Sequence, residues 1–514
     1  MGILSACPSW GEQMKKWISS AVIYQVNLRS LAAREPRNAI EAAREKQSRQ
    51  SPLAYLTQQL PVIKKLGANV IYLMPPYPMG ILGRKGIGSP YSIRDFRAVD
   101  PEHGTLDDLA DLVRRAHRMR LKVILDITPN HTSRDHVWMS FRPEYYVKNP
   151  DGSVFFDCDW SDTAKLDYTN PALRREMIEV YHYWLSFLGA QPNGGFDGVD
   201  GFRLDMAHFI NDRSFWSEAT ADLRARHADR ELLFLAECYG TQNNLDLFAR
   251  GINAAYDDDF YKVCQYLYAV TESGSSDILP SPDAKSNNDF LDKYEAFRAG
   301  GIATAFETAI LNYESILPPA EDAPRLARYT DNHDEGRGLF RFGEGAVRAV
   351  NQLIFLSSHC IPFLLTGEEF GALNRPSIHG RLHACDKGRR LLRDGKVFNE
   401  EGIEFEGNLF ARGYEARQEW YEFFRGLIHL RLKTRELTHG RFLLLNAGEN
   451  CEADCKTVIA FERQLRRSTV RCAINLGPKP KELKNAPLFA GELLYGGLQG
   501  DTLPAFSSIV VRTP

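Results

Sequence analysis

Residues 199–237, VDGFRLDMAHFINDRSFWSEATADLRARHADRELLFLAE, decide how the chain folds. VDGFRL (199–204) reads as a buried strand, 214–227 as a helix and LLFLA (232–236) as a second buried strand. Short apolar runs separated by a helical pattern are the mark of parallel strands joined by crossover helices. Each run is followed at once by an acid, Asp205 and Glu237.

The same beat extends in both directions. AVIYQVNL (21–28), ANVIYLM (68–74) and KVILDI (122–127) precede the segment, and a weaker strand near INAAYD (252–257), then RLARYT (325–330) and CIPFLL (360–365), follow it. Between them Ser51 can cap a helix that starts at Pro52 and ends at Gly67, and Thr105 with Asp108 forms a capping pattern. Pro171 opens a helix over 171–187, and another spans roughly 346–358. Eight strands with intervening helices predict an α/β fold, a (β/α)8 TIM barrel. A doubly wound open sheet would need a glycine-rich turn after its first strand, where this chain has NLRSLAAREPR (27–37).

Two stretches break the beat. Residues 132–170, rich in aromatics and aspartate, are too long for a plain loop and read as a short excursion domain after strand three. Beyond residue 437, TVIAFER (457–463), TVRCAINL (469–476) and SSIVVR (507–512) read as a C-terminal all-β domain. The expected division is therefore barrel over 1–131 and 171–436, excursion domain over 132–170, and a β-sandwich domain over 437–514.

Composition bounds the partners. Of 514 residues, 63 are basic and 66 acidic, giving a net charge of -3, so no global field invites nucleic acid or an anionic membrane surface. No apolar run approaches the ~18 residues that span a bilayer. Nine scattered cysteines form no disulfide framework, which predicts a cytoplasmic setting, and Cys451 and Cys455 lack further ligands for zinc.

In a barrel of this kind chemistry sits at the carboxyl ends of the strands. There the chain places Asp126 through His131, Arg203 with Asp205, Glu237, and Asp331 through Asp334. One such acid is commonly a loop cap, but acids converging from strands four, five and seven beside an arginine and two histidines call for a reaction. Glycosyl transfer uses this inventory: one carboxylate attacks or activates water, and one acid protonates the leaving oxygen. Arg203, two residues before Asp205 on the same strand face, is expected to keep Asp205 ionised. Burial after LLFLA is expected to raise the Glu237 pKa.

These residues resemble glycoside hydrolase family 13, the α-amylase family. DITPNH (126–131), GFRLD (201–205), FLAE (234–237) and NHD (332–334) occur in the family's order, and KLDYTNP (165–171), SPYSIRDF (89–96) and IPFLLTGEEFG (361–371) agree with it. The resemblance implies a retaining hydrolase of α-1,4-linked glucan or maltooligosaccharides, with transglycosylase or α-glucosidase action as the alternative. A non-catalytic carbohydrate-binding or scaffold relative is the reading from another class, and such relatives lose acids that this chain keeps. By the resemblance Asp205 is the nucleophile, Glu237 the general acid/base and Asp334 the transition-state stabiliser. His131, His333, Arg203 and Tyr91 would hold the reacting sugar.

Departures from the family pattern carry expectations of their own. The first loop, REPRNAIEAAREKQSRQ (34–50), lacks the acidic run of calcium-binding members. A second family calcium site would use Asn130, with Asp167 as partner, but Phe209 replaces a common histidine, so no metal is expected. Arg337 matches an arginine that clamps the terminal sugar in exo-acting relatives, while its acidic partner's position is Gly88. A metal-dependent barrel hydrolase would need a His-x-His pair or bridging lysine on early strands, and neither is present there.

Overall fold

Eight parallel strands close on one another in a computed structural model that describes residues 16–31, 51–85, 88–191, 195–264, 267, 289–318, 322–372, 378, 390–393, 396–399, 418–445 and 456–513, with the backbone alone at 289–300, 340, 390–393 and 396–399. They are β1 (Ile23–Val26), β2 (Val70–Leu73), β3 (Lys122–Ile127), β4 (Gly201–Leu204), β5 (Leu233–Ala236), β6 (Ala254–Tyr256), β7 (Arg325–Arg328) and β8 (Cys360–Leu365). Each pairs with its neighbours in sequence, and β1 closes the ring against β8. The sequence-based strands run one or two residues beyond these ends at several places, where the apolar run continues past the ladder.

Around the barrel lie α1 (Pro52–Leu66), α2 (Leu106–Arg118), α3 (Pro171–Ser186), α4 (Ser214–Arg226), α5 (Thr241–Ala249), α6 (Asp289–Glu314), α7 (Glu344–Leu356) and α8 (Gln418–Lys433). Their ends follow local chemistry. Ser51 accepts from the Ala54 N–H at the start of α1, and Gly67 ends it in the left-handed conformation at φ 109°. Thr105 and Asp108 form a reciprocal capping box on α2. Gly201 opens β4 at φ 153°, where a Cβ would sit 2.0 Å from the Leu233 carbonyl oxygen. Glycine alone lets β4 and β5 approach at the register that carries the acids.

The excursion after β3 is pinned by a short antiparallel pair, His131–Ser133 with Thr163–Lys165. At the C-terminal end, β9 (Arg441–Leu445), β10 (Val458–Leu465), β11 (Ser468–Asn475), β12 (Glu492–Gly496) and β13 (Ser508–Thr513) form one antiparallel sheet in the order β9-β10-β11-β13-β12. Sequence reading missed β9 and β12. RFLLL continues the apolar pattern of the helix before it, and ELLYG shows no alternation of burial.

Two arginines gather at the end of α7, and the one on the sheet, Arg463, joins it to the barrel. Arg431 on α8 donates to the carbonyls of Phe355, Ser357 and Cys360, and Arg463 on β10 donates to those of Leu356 and Gly440. Both guanidiniums therefore lie on the carboxyl end of α7, where unpaired carbonyls favour cations. Among the described residues no helix is long and apolar enough to cross a membrane.

Candidate active site

The register of the barrel assembles the site. Asp126 lies opposite Arg203 across β3 and β4, and Leu204 opposite Ala236 across β4 and β5, so Asp205 and Glu237 emerge together at the strand ends. Arg203 is fully buried, with its guanidinium centre 5.5 Å from the rings of both Tyr91 and Tyr256. Its Nη1 donates to Asp205 Oδ1 at 2.6 Å and to Asp126 Oδ1 at 2.9 Å. Its Nη2 stands 2.8 Å from Glu237 Oε2 as an ion pair, off the hydrogen-bonding direction. One cation thus serves three buried carboxylates.

That division changes the protonation expected from sequence. Burial pushes Asp205 well above the usual carboxylate range; Arg203 pulls it back, while Glu237 and Asp126 push it further up. Burial likewise lifts Asp126, to about 6, against Arg203 and the hydroxyls of Tyr72 and Tyr91. Glu237 goes the other way. Burial raises it, but Arg203, the Tyr239 hydroxyl and the Met206 N–H together hold it at about 2. Both directions therefore run opposite to those expected from sequence. Sequence spacing assigned the guanidinium to Asp205 alone, whereas the cross-strand register also gives it to Glu237. Three carboxylates around one cation titrate as a coupled set, in which burial and mutual repulsion raise Asp205 and Asp126 while Glu237 is lowered.

Asp334 completes the acids, with its side chain 43% exposed and Oδ2 3.0 Å from His333 Nε2. Gln25 Nε2 donates to His333 Nδ1 at 2.8 Å, which leaves the proton on Nε2. The His333 ring stacks on Tyr91 at 5.6 Å and 25°. His131 is buried against Trp160 at 5.4 Å, and burial lowers its pKa to about 4, so it stays neutral. A cavity of about 600 Å³ opens above these groups, lined by Tyr91, His131, Asp205, Glu237, His333 and Asp334, and by Trp160, Phe209, Tyr239, Lys85 and the exposed Cys158.

Arg337, expected at the sugar, does not line this cavity. It is 1% exposed and donates to Asp331 and to the carbonyls of Leu365 and Thr366, so its fork is spent holding the ends of β7 and β8. Lining residues that escaped sequence reading include Tyr239, Trp160 and Lys85, while Phe209 was read only against a metal site. Tyr239 lies two residues from Glu237, but past the strand end, where alternation no longer says which way a side chain faces.

Asn130 and Asp167, named as calcium ligands, do not share partners. Asn130 Nδ2 donates to Asp157 at 2.8 Å, while Asp167 accepts from Asn211 and Thr169. Asn130 Oδ1 is buried without a hydrogen-bond partner, so one oxygen suited to such a site is present. The positive charge beside it belongs to Lys165, whose ammonium lies 2.7 and 2.9 Å from the two Asp157 oxygens and 3.2 Å from the Phe209 carbonyl. The donor set therefore fits an ammonium and does not fit a divalent ion. The loop 34–50, read as lacking the acidic run of calcium-binding members, lies outside the described residues.

Comparison with known proteins agrees with this geometry. The family described as alpha amylase, catalytic domain, matches residues 43–156 and 144–404. Alpha-amylase 3 of Dictyoglomus thermophilum is 23% identical over 491 residues, covering 90% of this chain and 85% of that protein. Maltase 1 of Drosophila virilis is 25% identical, covering 83% and 75%. The crystal structure of an alpha-amylase from Lactobacillus plantarum superposes with a TM-score of 0.67 at 22% identity, covering 97% of this chain and 99% of that one. With the family match spanning well over half of its length, and acids at the ends of β4, β5 and β7 of a closed barrel, the chain belongs to the α-amylase family, glycoside hydrolase family 13.

Proposed function

We propose that the protein is a retaining α-glycoside hydrolase that cleaves α-1,4-linked glucan or maltooligosaccharides. The observation that carries the reading is the pair Asp205 and Glu237, held on one guanidinium and facing one cavity beside Asp334. Asp205 is the nucleophile, Glu237 the general acid and base, and Asp334 the carboxylate that stabilises positive charge at the anomeric carbon. Tyr91, His131 and His333 hold the sugar whose bond is cut.

In the first step the Asp205 carboxylate bonds to the anomeric carbon as the glycosidic C–O bond breaks, and the proton on Glu237 passes to the leaving oxygen. In the second, Glu237 takes a proton from water, the water oxygen bonds to the anomeric carbon and Asp205 is released. Two inversions return the α configuration. The site must present a protonated Glu237 beside an ionised Asp205, which requires substrate to replace the interactions that hold Glu237 ionised.

The lining also speaks to substrate class. Among the described lining residues Asp159, Asp162, Asp205, Glu237 and Asp334 face one cation, Lys85, and its ammonium is engaged with the Asp159 carbonyl. An acidic wall disfavours phosphorylated sugars and suits neutral ones. The rings of Tyr91, Trp160, Phe209 and Tyr239 offer apolar faces to neutral pyranoses.

Asp205→Gly with azide and an activated α-glucoside tests the assignment. The variant keeps the acid and opens space below the sugar, so a single attack by azide should yield a β-glycosyl azide, identified by NMR. An α-azide, or rescue in Asp334→Gly and not at position 205, would remove Asp205 from the nucleophile's role.

A further inference from the structure

The two oxygens of Glu237 have different surroundings. Oε2 is turned into the protein, where the Met206 N–H donates at 3.0 Å and Arg203 Nη2 lies at 2.8 Å. Met206 takes a left-handed backbone, φ 45°, in making that turn. The hydrogen-bond partner of Oε1 is the hydroxyl of Tyr239, at 2.6 Å. With Oε2 held by the Met206 N–H and facing the Arg203 charge, a proton destined for a leaving group has to travel on Oε1. The Tyr239 hydroxyl therefore stands where the glycosidic oxygen must come.

We propose that Tyr239 is a positioning residue whose hydroxyl occupies the leaving-group oxygen's place on Glu237 Oε1 and yields it to the substrate. The inference rests on Glu237 being the acid and base, as proposed above. The ring has room to yield: it is 40% exposed at the cavity wall and meets His208 edge-on at 5.5 Å and 88°. While the hydroxyl donates, Glu237 is favoured as the carboxylate and a proton shared by the cluster is kept off Oε1. When an aglycone displaces the hydroxyl, Oε1 loses a donor and gains an acceptor. The proton then belongs on Oε1, and Asp205 is left as a carboxylate ready to attack. As the glycosidic bond breaks, the Oε1–H bond breaks and the proton leaves with the aglycone oxygen. The hydroxyl can then return to Oε1 and favour the ionised Glu237 that draws a proton from water.

The charged and titratable groups around Glu237 are Arg203 and Asp205 at the end of β4, Asp126 on β3, His208 in the loop after β4, Tyr256 on β6, and His333 with Asp334 after β7. Cys238 adjoins it in the chain. Tyr239→Phe leaves all of these in place and removes one donor to a charged acceptor.

The experiment compares pH profiles of kcat/KM for wild type and Tyr239→Phe on a maltooligosaccharide and on an α-glucoside with an activated leaving group. Losing the donor raises the Glu237 pKa, so the limb of the oligosaccharide profile that follows Glu237 should move up by about one pH unit. On the activated substrate, which needs little acid help, the limb should stay in place. In parallel, the Glu237 carboxyl carbon, identified by difference against Glu237→Gln in 13C NMR, should titrate about one unit higher in Tyr239→Phe. Unchanged limb and unchanged NMR midpoint in an active enzyme would overturn the proposal, as would equal shifts on both substrates. A wild-type enzyme that turns over neither substrate would instead overturn the function proposed above, and this inference with it.

Discussion

Arg203 shows what one side chain can and cannot disclose before its neighbours are known. Its position two residues before Asp205 made their pairing legible, because i and i+2 share a strand face. Its contact with Glu237 was not legible, since that depends on the register of β4 against β5. The three acids themselves were readable as residues at strand ends. The directions in which their pKa values shift were not, because they follow from how one guanidinium is divided. Glu237→Gln keeps the shape and most donors of this cluster while removing the transferable proton. On a maltooligosaccharide its rate should fall by about 10²–10⁴. On a substrate with an activated leaving group, the first step should fall far less. Steady-state and pre-steady-state rates on both substrates check this, and equal losses would remove Glu237 from the acid role.

At the scale of elements, α2, β3 and β4 are tied at their far end from the cavity by a cluster that sequence did not announce. His117 on α2 contacts Asp197 at 3.2 Å and Asp200 at 2.8 Å, and Lys122 at the start of β3 reaches Asp200 at 2.9 Å. Burial pushes the His117 imidazole down, but the two aspartates carry it up to about 9. A histidine whose folded pKa exceeds its unfolded value of about 6.5 stabilises fully below that value. The contribution, on the order of 3 kcal/mol, is lost as pH rises from there through 9. His117→Gln should therefore be less stable than wild type at pH 6, and the gap should close toward pH 9.5. Urea unfolding across that range measures it, and a gap independent of pH would contradict the charged pairing.

The excursion makes the same point about pairing. Its aspartates and lysine were visible as residues, but the closure of Lys165 on Asp157 and the Phe209 carbonyl depends on the antiparallel pair that brings 163–165 back to 131–133. An ammonium on a side chain cannot be extracted. Chelators should leave both the melting temperature and activity unchanged, as followed by thermal melts and turnover after dialysis against EDTA. Loss of activity restored by calcium would refute this and would place a calcium site in the chain.

Across the whole molecule the barrel was readable because its strands are short buried runs that repeat with helices between them, and the closing partner of β1 follows once eight are counted. The C-terminal sheet was readable only where alternation was strong, in β10, β11 and β13. Its attachment through Arg463 was not, since that arginine binds carbonyls, which no charge pattern shows. Arg463 from the sheet and Arg431 from α8 both lie where α7 ends, so sheet and neighbouring helix together supply the cap that this barrel helix lacks in its own sequence.

The cavity wall has one more property, which concerns reagents rather than substrates. Cys158 is exposed and lines the same space as Glu237 and Asp334, whereas Cys238, Cys264, Cys360 and Cys472 are buried. A thiol-directed label of modest bulk should therefore settle at the mouth and slow turnover of long oligosaccharides more than of small aryl glucosides. Bound maltooligosaccharide should shield the thiol, and Cys158→Ser should escape inhibition altogether. Mass spectrometry of the labelled peptide, read beside residual activity, decides whether that position can carry a fluorophore that reports cleft occupancy in real time.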